Sequence, residues 1–120
     1  MIPLKEFMVS PVVHVDIQAT VKKAALLMAE KKIGSILVKE GEDMVGIVTK
    51  TNLVYQVLAE GRDGNSTTVG EIMSQPLISM DAYVFRSEAN ELMLRKNIHH
   101  LVVTQSKKVV GILTLKDMIT

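Results

Sequence analysis

The sequence predicts an α/β (α+β) fold in which two β-α-β-β-α repeats are related by pseudo-two-fold symmetry. A shift of about 65 positions aligns residues 8–53 with residues 73–118 without a gap, and about 13 of the roughly 46 pairs are identical. Within each copy the apolar residues change between extended and helical spacing. We assign residues 1–60 to the first repeat, 61–68 to a linker and 69–120 to the second repeat, together one compact module.

Self-similarity at a fixed period indicates duplicated units that complete each other's core. Two such units create paired clefts at their junction, and we look for the function of the chain there. The most informative identical pairs are Pro11/Pro76, Asp16/Asp81, Ala24/Ala89, Leu27/Leu92, Met28/Met93, Ile33/Ile98, Val45/Val110, Gly46/Gly111, Ile47/Ile112 and Thr49/Thr114.

Each repeat begins with a short extended piece, predicted at residues 12–14 and 77–79, just after a proline that disfavours helix in the residue before it. An Asp and a few polar residues follow, and then a helix. Thr20 is a suitable N-cap for the first helix. Apolar residues at helical spacing follow in each copy: Val21, Ala24, Ala25 and Met28, and then Phe85, Ala89, Leu92 and Met93.

Two apolar runs separated by a polar turn come next in each repeat and predict a β-hairpin. These runs are 36–38 with 45–48, and 101–103 with 109–113. A second helix is predicted to start at Thr49, and residues 60–68 form a linker rich in turn formers. The second repeat ends soon after Thr114, so we expect either residues 2–8 or a partner chain to complete it.

The composition narrows the class of protein. A net charge of +1 argues against a broad nucleic-acid surface. The absence of cysteine excludes thiolate zinc sites, a disulfide framework and a thiol nucleophile. The apolar runs are too short to span a bilayer, and no apolar signal segment follows Met1. We therefore expect a soluble cytoplasmic domain that does not contact membranes.

The ends of the two hairpins carry matching motifs, Gly46-Ile-Val-Thr-Lys-Thr-Asn52 and Gly111-Ile-Leu-Thr-Leu-Lys-Asp117. Together with the stretch 98–103 (Ile-His-His-Leu-Val-Val) and the two strand-opening prolines, they resemble a tandem pair of cystathionine β-synthase (CBS) domains, often called a Bateman module. The resemblance extends from Leu4 to Thr120. It implies a stand-alone regulatory module that binds AMP, ADP or ATP, or sometimes S-adenosylmethionine, in clefts between the repeats.

The chemistry of Thr114-x-x-Asp117 has two readings. The spacing is that of a capping box with Asp in place of Glu, so helix capping alone could explain both residues. A helix N-terminus also favours anions, and a carboxylate can accept both hydroxyls of a ribose. Asn52 replaces Asp in the first copy, and its amide offers one neutral acceptor oxygen, so we expect a weaker ribose contact there.

The resemblance divides the remaining candidates between two clefts. The cleft of Asp117 would draw on Val13, Ile33, Gly34, His99, His100, Ile112 and Thr114, and the cleft of Asn52 on Ile47, Thr49, Ile78 and Ile98. Lys50 and Lys116 are candidate phosphate contacts, although either could be a solvated lysine at a helix start. His99 and His100 must point to opposite faces of their strand, and an ordinary strand-edge role is their alternative. We expect no metal site.

We see no ordered nucleophile–base–orienter arrangement and predict that the chain is not an enzyme. The predicted function is a regulatory sensor of adenine nucleotide, which requires no cofactor and acts on an unidentified effector protein. The alternatives are a structural dimerisation or protein-interaction module without ligand, and a binder of S-adenosylmethionine or nucleic acid. We also expect a homodimer, because the second helix presents Leu53, Val54, Val57 and Leu58 as an apolar patch.

Overall fold

The computed structural model describes residues 2–10 and 12–115 of the chain. The chain forms two compact units, which we call the middle unit (residues 13–77) and the terminal unit (residues 1–12 with residues 78–120). Each unit contains a three-stranded sheet of the same topology. The mixed α+β fold predicted from the repeats is confirmed.

The middle unit is built on the sheet β1-β2-β3, in which β2 is parallel to β1 and antiparallel to β3. The third strand leads directly into a short helix, α2, and a π-helical turn. The elements are β1 (His14–Asp16), α1 (Val21–Lys31), β2 (Ser35–Glu40), β3 (Asp43–Thr49), α2 (Lys50–Asn52), the π-helical turn (Leu53–Leu58) and α3 (Val69–Ile72).

The terminal unit repeats this plan with the sheet β4-β5-β6, again with one parallel and one antiparallel pair. Even the irregularities match, because the register shifts between Val38 and Lys39 in one sheet and between Val103 and Thr104 in the other. The elements are a 3-10 turn (Leu4–Glu6), β4 (Ser79–Asp81), α4 (Arg86–Lys96), β5 (His100–Gln105) and β6 (Lys108–Thr114).

The first strand of each unit starts two residues later than the sequence predicts. The reason is that Asp16 and Asp81 end the strands rather than following them. The carboxylate of Asp16 accepts the backbone N–H of Gln18 at 2.9 Å, and Asp81 accepts that of Tyr83 at the same distance. Each Asp therefore closes a local turn that stops the strand.

The two long helices follow the predicted spacing. Thr20 caps α1 by accepting the N–H of Lys23 at 3.1 Å, as expected, and Val21, Ala24 and Met28 are buried. In α4 Ala89 and Met93 are buried and Leu92 is half-buried, but the prediction was wrong for Phe85, which precedes the helix and is 38% exposed. The face of each helix that the apolar residues define therefore packs against the sheet of its own unit.

The predicted linker is part of the middle unit rather than a loose connection. The carbonyls of Gly64 and Thr67 accept the N–H groups of Lys22 and Val21 at 3.0 and 2.9 Å, and Thr67 is buried. These two bonds satisfy backbone donors at the start of α1 that a helix cannot satisfy internally.

The leading segment of each repeat packs on the sheet of the other repeat. Leu4 is fully buried in the core of the terminal unit, as Val69 is in the middle unit. Val9 and Ile112 exchange backbone hydrogen bonds at 2.8 and 3.1 Å, and Ser74 and Ile47 do the same at 2.9 and 3.0 Å. The N-terminal segment thus occupies in the terminal unit the place that residues 69–74 take in the middle unit.

A glycine in the last strand of each sheet permits this packing. A Cβ added at Gly46 would lie 2.9 Å from Cγ of Met73 and 3.0 Å from the carbonyl oxygen of Ser74. At Gly111 the added atom would lie 2.5 Å from the sulfur of Met8. Glycine is required because no other residue lets the segment approach so closely.

Among the described residues, no helix is both long and apolar enough to cross a membrane. The described helices reach 11 residues at most. A helical span of the hydrocarbon core needs about 20 residues.

We predict that Gly46→Ala destabilises the protein by about 1–3 kcal/mol, because the new methyl group meets a backbone oxygen that cannot move away freely. Gly64→Ala is the matched control, since its Cβ would make an ordinary contact of 3.7 Å with Val21. We expect Gly64→Ala to be neutral or slightly stabilising. Urea unfolding of both variants tests this, and equal midpoints for Gly46→Ala and wild type would contradict the packing argument.

The short helix α3 is fixed by a charge-assisted cap. The carboxylate of Glu71 accepts the backbone N–H of Thr68 at 2.7 Å and its hydroxyl at 3.2 Å. The backbone hydrogen bond first, and then the hydroxyl and Arg62, hold the pKa of Glu71 below its usual value of 4.5. A lowered pKa in the folded state stabilises the protein above the unfolded value, and this contribution is lost as the pH falls through the folded pKa.

We therefore predict that Glu71→Gln lowers the urea midpoint at pH 7 and that the difference from wild type shrinks towards zero well below pH 4.5. Gln keeps an oxygen for the cap but lacks the charge. Glu42→Gln, in the exposed turn between β2 and β3, removes the same charge and serves as the control. A difference for Glu71→Gln that is independent of pH would show that the charge contributes nothing.

Candidate functional site

The predicted site residues of each unit gather at one end of its sheet. Because β2 is antiparallel to β3, the start of β2 lies beside the end of β3, and the start of the parallel strand β1 lies on the other side of β2. Val13 precedes β1, Gly34 precedes β2 and Thr49 ends β3. The terminal unit places Ile78, His99 and Thr114 in the same way around β4, β5 and β6.

Backbone hydrogen bonds hold this end together in the middle unit. The carbonyl of Val13 accepts the N–H of Leu37 at 3.0 Å. The carbonyl of Gly34 accepts the N–H of Lys50 at 3.2 Å and so joins the start of β2 to the start of α2. In the terminal unit the carbonyls of Ile78 and His99 accept the N–H groups of Val102 and Leu115 at 3.1 and 3.2 Å. The same frame is therefore built twice.

A residue in the left-handed conformation ends each long helix and directs the chain towards this end of the sheet. Lys32 (φ 55°) and Asn97 (φ 53°) turn the chain. The following N–H groups, those of Ile33 and Ile98, donate to Met28 and Met93 at 3.0 Å each. This is a common way to satisfy the last carbonyls of a helix.

The predicted residues differ in exposure. Lys50 is exposed and could meet an anion, whereas Ile112 and Asn52 are buried. His99 is exposed and His100, paired in register with Thr114, is half-buried with a buried Nδ1. The half-buried members are Val13, Ile33, Gly34, Ile47, Thr49, Ile78, Ile98, His100 and Thr114.

The motif at the end of β3 forms a complete capping box. Thr49 Oγ1 accepts the backbone N–H of Asn52 at 3.3 Å, and Asn52 Oδ1 accepts the backbone N–H of Thr49 at 2.8 Å. The hydroxyl of Thr49 also donates to Asn52 Oδ1 at 3.1 Å. The capping alternative raised by the spacing is therefore realised in the first copy of the motif.

The side-chain amide of Asn52 has two further partners. Its Nδ2 donates to Gln56 Oε1 at 2.7 Å and to Ser74 Oγ at 3.1 Å. Gln56 lies one helical turn on, at the spacing of neighbours on a helix, so a pattern search could find it. Ser74 is 22 residues away and joins only because the leading segment of the second repeat packs beside β3.

The second copy of the motif is described only in part. Thr114 ends β6, as Thr49 ends β3. Lys116 and Asp117, the predicted phosphate and ribose contacts, lie outside the described residues, as do Pro11 and Met118.

The members of each predicted cleft are divided between the two units. Val13, Ile33 and Gly34 belong to the middle unit, while the rest of the Asp117 set belongs to the terminal unit. The membership of both clefts stays a prediction. In the part of the chain that the structure describes, no group of three or more His, Asp or Glu side chains could hold a metal ion.

The chain matches the CBS domain family twice, over residues 4–59 and 69–120. The CBS domain-containing protein YhcV of Bacillus subtilis is 32% identical over 115 residues, which cover 96% of this chain and 81% of that protein. An uncharacterized protein of Methanopyrus kandleri is 34% identical over 102 residues, or 83% of this chain. The chain spans only 52% of that protein's length.

Solved structures share the fold. The hexameric CBS-CP12 protein from bloom-forming cyanobacteria superposes with a TM-score of 0.92 at 31% identity, covering 99% of this chain and 70% of that one. The chain therefore belongs to the CBS domain family and carries two copies of the domain in tandem. CBS pairs are generally regulatory rather than enzymatic and often bind nucleotides.

Proposed function

We propose that the chain is a regulatory module that binds an adenine nucleotide, AMP, ADP or ATP, through the motif at residues 111–117. The observation that supports this most is the duplication of a Thr-x-x-Asp/Asn motif that begins at the last residue of the last strand of each sheet. In the middle unit this position lies beside the start of β2, and β1 runs parallel to β2 on its other side. Only the second copy carries a carboxylate.

The roles follow from the chemistry of the residues. The carboxylate of Asp117 would accept the two ribose hydroxyls, and Thr114 with Lys116 would meet the phosphate. Aromatic residues make up only 3% of the chain. Adenine would therefore lie between aliphatic side chains, and backbone groups of the strands would form hydrogen bonds with its Watson–Crick edge. S-adenosylmethionine carries the same nucleoside without the phosphate, so it remains the alternative ligand.

The regulated target would be a separate protein or another part of a longer chain. A ligand regulates such a module by binding one of its conformations more tightly than the others, which raises the population of that conformation. We propose no catalytic activity for these residues, and we propose the cytoplasm as the location because adenine nucleotides are concentrated there.

Binding is tested by thermal unfolding with AMP. At about 100 times its dissociation constant, a ligand specific for the folded state adds about 2.7 kcal/mol of stability. This corresponds to a rise of several degrees in Tm for a domain of this size. We expect Asp117→Ala to remove most of that rise. Adenosine should bind more weakly than AMP, because charge-assisted hydrogen bonds contribute about 1.5–3 kcal/mol.

Asp43→Ala, which removes an exposed carboxylate from the β2–β3 hairpin, is the matched control and should keep the full response to AMP. An undiminished rise in Asp117→Ala would mean that Asp117 does not contact the nucleotide. A rise in Tm with S-adenosylmethionine but not with AMP would show that S-adenosylmethionine, and not an adenine nucleotide, is the ligand.

A second proposal is that the chain self-associates through the π-helical turn. The predicted patch was wrong for Val57, which is buried in the core, and for Leu53, which packs against it. The exposed apolar residues there are Tyr55, Leu58 and Val54, at 67%, 75% and 48%. Large apolar side chains that lie together on a surface mark interaction sites. The structural relative described as hexameric supports self-association of this family, although its subunit contacts belong to that protein.

We predict that wild type is a dimer at micromolar concentration and that Leu58→Glu shifts it towards monomer, because a charge would be desolvated in the interface. Ile2→Glu introduces the same charge at an apolar position that is 54% exposed and should leave the dimer intact. Size-exclusion chromatography with light scattering gives the masses. A strictly monomeric wild type would reject this proposal.

A further inference from the structure

The side chain of Asn52 uses all of its hydrogen-bonding capacity inside the middle unit. A primary amide has one oxygen with two lone pairs and two N–H donors. Oδ1 accepts from the N–H and the hydroxyl of Thr49, and Nδ2 donates to Gln56 and Ser74. Only 8% of the residue is exposed to solvent. We call these four residues, Thr49, Asn52, Gln56 and Ser74, the Asn52 network.

A saturated amide is a poor partner for a ribose. A hydroxyl of the sugar could bind Asn52 only by displacing Thr49, Gln56 or Ser74, so one hydrogen bond would be exchanged for another. Ser74 is exposed and Thr49 and Gln56 are half-buried, so the displaced group would bond to water instead, and the number of hydrogen bonds would not rise. The exchange therefore yields little affinity at this position.

The equivalent place in the terminal unit lacks one member of the network. Val9 stands where Ser74 stands, because both exchange a pair of backbone hydrogen bonds with the isoleucine after the strand glycine, Ile112 and Ile47 respectively. The backbone arrangement is thus the same, but valine offers no polar side-chain atom. The hydroxyl of Ser74 accepts a hydrogen bond from the first copy of the motif. The side chain of Val9, at the equivalent position, cannot do so.

We infer that Asn52 is a structural latch that ties the leading segment of the second repeat to the end of β3, and that the chain consequently binds one nucleotide rather than two. The inference rests on the proposed function for its second half. Its first half, the latch, is independent of any ligand. Asn52 then determines the number of nucleotides bound without being part of the binding site.

The latch is tested by stability. Asn52→Ala leaves Thr49, Gln56 and Ser74 without this partner, and we expect Tm to fall on the order of 10 °C. Thr51→Ala, one residue away and exposed, is the control and should shift Tm by at most a few degrees. A Tm for Asn52→Ala as high as that of Thr51→Ala would overturn the latch.

The number of sites is tested by calorimetric titration of the full chain with AMP. We expect one AMP per chain for wild type and for Ser74→Val. The double variant Asn52→Asp/Ser74→Val copies the second repeat into the first. Its carboxylate keeps the cap with Thr49 and has spare lone pairs, since a carboxylate offers about four acceptor positions. We expect it to bind two AMP per chain.

Two AMP on wild type, or one on a double variant that melts as wild type does, would overturn the inference while leaving the proposed function intact. No binding of AMP to wild type would overturn the proposed function and the stoichiometry together. In that case the latch is judged by the Tm of Asn52→Ala alone.

Discussion

The rest of the structure depends on the close approach of a short leading segment to a glycine in the last strand of each sheet. Met73 packs over Gly46 and Met8 over Gly111, at separations that leave no room for a Cβ atom. The next residue in each segment then pairs with the isoleucine after the glycine. A three-stranded sheet with one helix is a small structure, and each sheet gains a buried apolar residue, Val69 or Leu4, from this segment.

This packing also gives two similar motifs different surroundings. The leading segment carries Ser74 to the motif of the middle unit and Val9 to the corresponding place in the terminal unit. With serine there, the amide of Asn52 completes an internal network. A single substitution in a segment remote in sequence therefore changes the environment of the motif, whereas the backbone frame at the end of the sheet stays the same in both units.

Much of the fold follows from local patterns. The hairpins, the Thr20 cap and the helix that starts after Thr49 were predictable because spacing and capping residues act over a few positions. The strand ends were wrong by two residues because Asp16 and Asp81 belong to the strands and stop them through their side chains. Local spacing also does not distinguish an α-helical from a π-helical turn at residues 53–58.

The candidate site was less predictable because its decisive contacts are non-local. The capping pair Thr49 and Asn52 is visible in the sequence, but the bond to Ser74 arises only when the leading segment of the second repeat packs on the first sheet. The packing of residues 2–8 on the second repeat was one of two alternatives expected from the sequence. The repeat pattern gives the equivalence between copies but not which copy a segment packs on.

In the proposed scheme, the two copies of one motif have diverged into a latch and a binding site. The most direct test of this scheme is an AMP titration followed by two-dimensional NMR of the backbone and side-chain amides. We expect the signals of Thr114 and Leu115 to move and saturate at one equivalent, while the side-chain amide of Asn52 keeps its position and its slow hydrogen exchange. A shift of the Asn52 side-chain amide that saturates at a second equivalent would contradict the scheme.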